Sequence, residues 1–213
     1  MIICVRTGTK YGIEYVERLR NMVRRYHPNM HIRCLTDQPE RADGVEFVDI
    51  SMWRLPGWWA KMTVFRPDLR DYAPSAIYLD LDTVITGSLK PLLDLKTDFA
   101  ICANFTRLAG NKDWPCKYGS CVMRFNGAFG YDVLHKFTKN ADRYMEQCPK
   151  GDQQAIERIW PDADILQDML PSGYMMGYRD FPAQKPDSLS LAIFAGSHKP
   201  HNTPHKWLKE AWK

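Results

Sequence analysis

Two carboxylates one residue apart give this chain its clearest chemical signal. In Ile77-Tyr78-Leu79-Asp80-Leu81-Asp82-Thr83 an apolar run ends on Asp80 and Asp82. Side chains alternate across a strand, so both carboxylates reach one partner only where the strand is already turning. Two like charges that close repel each other unless a cation sits with them. Paired hard oxygens suit Mg²⁺ or Mn²⁺, with diphosphate oxygens and water completing an octahedron. The plain alternative is an Asp-rich turn that merely ends a strand; the apolar lead-in favours the metal-binding reading.

Other residues carry charge or hydrogen-bonding groups in suggestive settings. Lys61 follows Trp58 and Trp59, which reads as a cation at a cleft wall rather than on an open helix face. Lys199 lies in a segment with Gly196 and Pro200 that also holds His198, His201 and His205, half of the six histidines. Asp152 and Gln153 open a helical stretch, where Asp152 suits an N-cap and a ligand contact alike.

The elements that must position these residues alternate. Ile2–Arg6 reads as a strand ending at Thr7-Gly8, and Ile13–Tyr26 as a helix with Ile13, Val16, Leu19, Val23 and Tyr26 on one stripe. Pro28 and Asn29 stop it. Strands follow at 31–35 and 45–50, then a short helix over 58–65 closed before Pro67, and the apolar strand 76–81. Phe99–Ala103 and 121–125 are further strands. Helices are predicted over 133–148, with Val133, Leu134, Phe137, Ala141, Tyr144 and Met145 inward, and over 152–160. After Pro171 the chain reads as loops with a final short helix at 207–212. This alternation predicts an α/β fold with a mainly parallel sheet and helices on both faces. Ligands in such sheets bind beyond the carboxyl ends of the strands. Thr7-Gly8, Thr36-Asp37 and Asp80 to Asp82 therefore fall along one rim.

Composition sets outer bounds. The 213 residues are 45% hydrophobic and 25% charged, an ordinary globular balance. They predict one domain over 1–213. A net charge of +4 permits anionic partners such as nucleotide phosphates without demanding nucleic acid. Arg18, Arg20, Arg24 and Arg25 share one predicted helix and read as a solvated face rather than a nucleic-acid patch. The six cysteines form no C-x-x-C pair, and four lie in strand-like runs, which suits small buried hydrophobes in a reducing compartment. Met1 runs straight into the first strand, which predicts no signal peptide. No apolar stretch nears the roughly 18 residues of a membrane span. The expectation is a cytoplasmic protein.

Tyr78-Leu79-Asp80-Leu81-Asp82-Thr83-Val84, followed by Gly87-Ser88-Leu89, resembles the D-x-D segment of glycogenin-like glycosyltransferases, glycosyltransferase family 8. Thr7-Gly8 with Tyr11 is similar to that family's nucleotide-binding first loop. Gly57-Trp58-Trp59-Ala60-Lys61 resembles its helix with a donor-contacting lysine. Gly119-Ser120-Cys121-Val122-Met123 resembles its N-S-G-V-M strand, and Gly151-Asp152-Gln153 its G-D-Q segment. Phe194 to Pro200 resembles its closing H-x-G-x-x-K-P-W segment. The resemblance implies a GT-A fold, with a nucleotide-binding half over about 1–90 and an acceptor and closing half over about 91–213, and a metal-dependent hexosyl transfer from a nucleotide-sugar donor, a uridine diphosphate sugar, with retention. It implies donor contacts at Thr7, Gly8, Tyr11, Lys61, Asp80, Ser120, Gly196 and Lys199, catalytic roles for Lys61, Asp152 and Gln153, and Mn²⁺ or Mg²⁺ on Asp80 and Asp82.

Two departures stand out. The family's metal-binding histidine before the closing glycine is missing, since those positions hold Ile193, Phe194 and Ala195, and its final tryptophan is His201. Either His198 or His201 reaches the metal from a shifted loop, or the metal keeps two aspartates and more water. The acceptor stays open among protein, glycan, lipid and modified nucleic acid. Two other functions fit parts of the sequence. One is a GT-A-fold binding protein with weakened catalysis. The other is a haloacid-dehalogenase-like phosphatase with Asp80 as nucleophile and Asp82 as acid, against which about eighty residues precede the motif.

Overall fold

A computed structural model describes residues 1–70, 75–126 and 129–213. Among them, the strands are β1 (Ile2–Arg6), β2 (Ile32–Thr36), β3 (Glu46–Asp49), β4 (Ser75–Leu79), β5 (Val84–Ile85), β6 (Phe99–Ala103), β7 (Tyr118–Asn126), β8 (Asp164–Ile165), β9 (Met175–Gly177) and β10 (Leu191–Ile193). The helices are α1 (Ile13–Tyr26), α2 (Lys90–Leu93), α3 (Phe105–Leu108), α4 (Tyr131–Lys139), α5 (Ala141–Gln147), α6 (Asp152–Ile159), α7 (Leu166–Met169) and α8 (Lys206–Ala211).

The main sheet has the order β3-β2-β1-β4-β7-β6-β8. The first four run parallel, with Ile3 opposite both Arg33 and Tyr78. β7 is antiparallel to both neighbours, β4 and β6. The expected mainly parallel sheet is therefore present, with one strand reversed at its centre. A second sheet, β5-β10-β9, takes two of its three strands, β9 and β10, from the segment expected to be loops. Strands of two or three residues leave too little pattern in the sequence to announce themselves.

Alternation along the strands splits the core in two. Ile2, Cys4, Ile77 and Leu79 pack with Val16, Leu19 and Val23 of α1 and with the small sheet. Ile3, Tyr78, Met123 and Phe125 pack on the other face with Trp59, Phe65, α4 and α6. The helix predicted over 133–148 is two helices. Asn140, with φ −139° and ψ 33°, closes α4 by donating its N–H to Phe137 O and opens α5. The apolar stripe runs on across the break, which is why the pattern reads as one helix. The stretch Gly57–Phe65 is a 3-10 helix, buried at every position from Trp59 to Phe65.

The arginines of α1 have specific partners. Arg18 and Arg25 donate to the carbonyls of Trp212 and Ala211, and Arg20 and Arg24 to those of Asp43 and Gly44. They tie loops and the end of α8 to α1. All six cysteines are free thiols, and only Cys121 is less than fully buried. Among the described residues no helix is long and apolar enough to cross a membrane.

Candidate active site

A cleft of about 870 Å³ opens at the carboxyl ends of β1 and β4. That is near the top of the range for small-molecule sites. β4 ends at Leu79, and the chain turns at once: Thr83 donates its N–H to Asp80 O at 3.0 Å. This turn supplies what strand alternation forbids, with both carboxylates lining one cleft.

Asp80 belongs to a tightly packed group. Lys61 Nζ lies 2.8 Å from Asp80 Oδ1 and 3.7 Å from Asp152 Oδ2. The same ammonium donates to Ser120 O at 3.2 Å and to Ser120 Oγ at 3.0 Å. Tyr78 donates its hydroxyl to Asp80 Oδ1 at 2.6 Å. Burial works against the Lys61 ammonium, but Asp152 and Asp80 outweigh it and raise its pKa. Burial pushes the Asp152 carboxyl up, against the pull of Lys61. Asp152 Oδ2 is buried without a hydrogen-bond partner. The N-cap of α6 is Gly151, so Asp152 is the first helical residue and its side chain faces the cleft instead of capping.

Asp82 has a different setting. Lys199 Nζ donates to Asp82 Oδ2 at 2.6 Å, and Tyr11 donates its hydroxyl to the same oxygen at 2.9 Å. Burial, then the charge of Asp82, raises the Tyr11 pKa. Lys199 arrives from the closing segment, which turns at exposed Gly196 with φ +62°. The segment is pinned where Lys199 donates its N–H to Asn202 Oδ1 at 2.8 Å and Asn202 Nδ2 donates to Ser197 O at 3.2 Å.

The remaining candidates divide. Gly8 donates its N–H to Asp37 Oδ1 at 3.1 Å, so the first two strand ends meet at the rim as the alternation predicts. Thr7, Gln153 and Gly196 line the cleft. His198 lines it too, exposed and stacked on Tyr178 with ring centroids 4.2 Å apart. His201 is not brought to the aspartates: its Nδ1 lies 2.6 Å from the Tyr15 hydroxyl, beside Trp212. Ile193 and Phe194 are buried. Tyr78 is a site residue the motif reading passed over. Its spacing of two from Asp80 on a strand places both on one face, which is a usable signal.

The donor set can be matched against a divalent cation. Each aspartate commits one oxygen to a lysine and a tyrosine, Oδ1 of Asp80 and Oδ2 of Asp82. Among the described residues no group of three or more His, Cys, Asp or Glu side chains gathers here. Two hard carboxylates on one turn fit an ion that takes most of its ligands elsewhere, as Mg²⁺ and Mn²⁺ do from phosphates and water.

Neither a family model nor a curated protein sequence matches the chain. Solved structures do. The galactosyltransferase LgtC, in complex with donor and acceptor sugar analogs, aligns over 99% of this chain and 91% of its own, at 13% identity and TM-score 0.69. The glycosyltransferase GlyE of Streptococcus pneumoniae aligns over 99% of this chain and 59% of its own, at 17% identity and TM-score 0.72. The bifunctional glycosyltransferase WbbM aligns over 99% and 49%, at 12% identity and TM-score 0.63. The α/β architecture is thus the GT-A glycosyltransferase fold. At these identities the likeness is one of fold.

Proposed function

We propose that this chain is a hexosyltransferase that moves a sugar from a uridine diphosphate sugar to an acceptor hydroxyl, with retention, using Mn²⁺ or Mg²⁺ at Asp80 and Asp82. The observation that carries this reading is the pairing of two strand-end aspartates with two buried lysines at the mouth of one cleft. Two carboxylates and two cations suit a metal-bridged diphosphate. The GT-A fold supports the same reading, and LgtC, which shares it, has been solved with donor and acceptor sugar analogs. Six free thiols suit a reducing compartment such as the cytoplasm.

The roles follow from the geometry. A divalent cation at the two aspartates supplies Lewis-acid stabilisation to the departing diphosphate. Lys61, held on four sides, keeps Asp80 and Asp152 in place. Asp152, whose buried Oδ2 lacks a hydrogen-bond partner, places negative charge where the sugar becomes positive. Gln153 lies beside it as a hydrogen-bond partner for donor hydroxyls. Lys199 moves from Asp82 to the diphosphate as its negative charge grows. The acceptor oxygen bonds to the anomeric carbon, the carbon–phosphate oxygen bond breaks, and the acceptor proton passes to the departing phosphate oxygen. No protein base is needed.

The second reading is a binding protein with this fold and weakened catalysis. Lys199 already paired to Asp82, with Ala195 before the closing glycine, favours it. The phosphatase reading gains nothing, since the turn after β4 sits within a GT-A fold. A screen of uridine diphosphate sugars with Mn²⁺ and Mg²⁺, reading release of uridine diphosphate, separates the first two. Turnover that needs the cation supports the enzyme. Donor binding with no turnover in any pairing supports the binding protein.

A further inference from the structure

Trp58 and Trp59 are neighbours with opposite fates. Trp59 is buried and stacks on Phe137, with ring centroids 5.8 Å apart. Trp58 is 60% exposed. Among the described residues, Met52, Leu108 and Tyr131 are also large, apolar and exposed, but of these four only Trp58 lines the cleft. It sits three residues before Lys61, on the same 3-10 helix.

One edge of the indole lies close to Gly151. A Cβ on Gly151 would stand 2.5 Å from Trp58 Nε1 and 2.7 Å from Cδ1. Gly151 has φ +78°, a conformation that favours glycine, and it directly precedes Asp152. The turn that delivers Asp152 is therefore moulded to the indole. The exposed indole presents an apolar plane to a ligand in the cleft. Gln153 and Lys150 also line the cleft, and Lys150 Nζ sits 4.2 Å above the Trp114 ring.

We propose that Trp58 forms the floor of an acceptor subsite for a saccharide, whose pyranose ring lies on the indole and presents a hydroxyl to the sugar held near Asp152. The inference rests on the glycosyltransferase reading above. A pyranose carries a face of C–H groups and a rim of hydroxyls, and this corner of the cleft offers an apolar plane beside Gln153 and Lys150. The cleft volume leaves room for a second small ligand beside the donor. A nucleic-acid acceptor would need a free basic tract to follow its backbone. The arginines of α1 do not supply one at the cleft, since Arg18, Arg20, Arg24 and Arg25 are not among the residues that line it.

The test uses the whole chain, a uridine diphosphate sugar that it hydrolyses, and a panel of methyl glycosides of the common hexoses, pentoses and N-acetylhexosamines. In the wild type one or more glycosides speed release of uridine diphosphate above the hydrolysis rate. Trp58→Ala raises the KM for that glycoside about tenfold or more, while Trp58→Phe keeps most of the effect. Trp58→Phe, which keeps an aromatic ring in this corner of the cleft, leaves affinity for uridine diphosphate at its wild-type value. Equal loss of donor hydrolysis in Trp58→Ala would make the indole a donor-site wall and overturn the proposal. An unchanged glycoside KM would overturn it as well. So would acceleration by a serine-containing peptide or a hydroxymethylated oligonucleotide when no glycoside has any effect. A wild type that neither binds nor hydrolyses any uridine diphosphate sugar removes the underlying reading itself, a result distinct from all of these.

Discussion

The two aspartates of one turn are held by two kinds of structure. Asp80 is fastened by Lys61, Tyr78 and, through Lys61, by Ser120 and Asp152, all carried on core-packed elements. Asp82 is held by Tyr11 from the first loop and by Lys199 from the closing segment, 117 residues further along the chain. One half of the site comes from elements packed in the core; the other is assembled from two segments far apart in the chain. The two carboxylates therefore depend on different parts of the chain. Lys61 has contacts to Asp80, Asp152 and Ser120, whereas Lys199 pairs with Asp82 and follows the turn at Gly196.

The sharpest way to break this comparison is at the fixed half. Lys61→Met leaves Asp80 and Asp152 without their cation. Removing one partner of a buried pair typically costs about 3–5 kcal/mol. Chemical denaturation should show a loss of that size, together with loss of turnover. A variant as stable as the wild type would contradict the structural role given to Lys61.

Lys199→Met probes the Asp82 half. Turnover should fall roughly 10²- to 10³-fold, as for one charged contact to a developing anion. Affinity for Mn²⁺ in the absence of nucleotide should rise about tenfold, equivalent to ~1.4 kcal/mol, because the ion no longer competes with an ammonium for Asp82. Titration calorimetry reads this directly, and an equal or weaker Mn²⁺ affinity would show that Lys199 and the cation do not share that carboxylate.

The smallest effect on stability concerns Asp152. Its folded-state pKa is raised by burial. The folded chain therefore binds a proton more readily than the unfolded chain, and stability declines as pH rises through the folded-state pKa. Asp152→Asn should remove that slope and raise Tm at neutral pH by about 2–4 °C, equivalent to ~1 kcal/mol, while abolishing transfer. A lower Tm would mean that the pairing with Lys61 outweighs the cost of burial.

How far the sequence foretells this site depends on the distance over which its parts are joined. β4 and α1 are legible because an apolar run or a helical stripe is a local pattern. The meeting of Thr7-Gly8, Asp37 and Asp80 on one rim follows from strand alternation, and Tyr78 from its spacing to Asp80. The pairing of Lys199 with Asp82 follows from neither. It depends on β10 reaching β5, a three-residue strand beside a two-residue one, and so on contacts that no local pattern records. His201 shows the same limit. The sequence places it beside Lys199, but an aromatic cluster of Tyr15 and Trp212 takes its ring. Asn140 breaks a helix inside an unbroken apolar stripe, a choice that local backbone geometry makes.

The central claim is that Asp80 and Asp82 hold a diphosphate through a divalent cation. Titration calorimetry of uridine diphosphate into the wild type, with Mn²⁺ and then with excess chelator, addresses it most directly, with Asp82→Asn as the matched variant. The account predicts saturable binding in Mn²⁺ that weakens by roughly 100-fold or more, ~2.7 kcal/mol, both in chelator and in the variant. Uridine diphosphate binding that is equally tight in Mn²⁺, in chelator and in Asp82→Asn would contradict it.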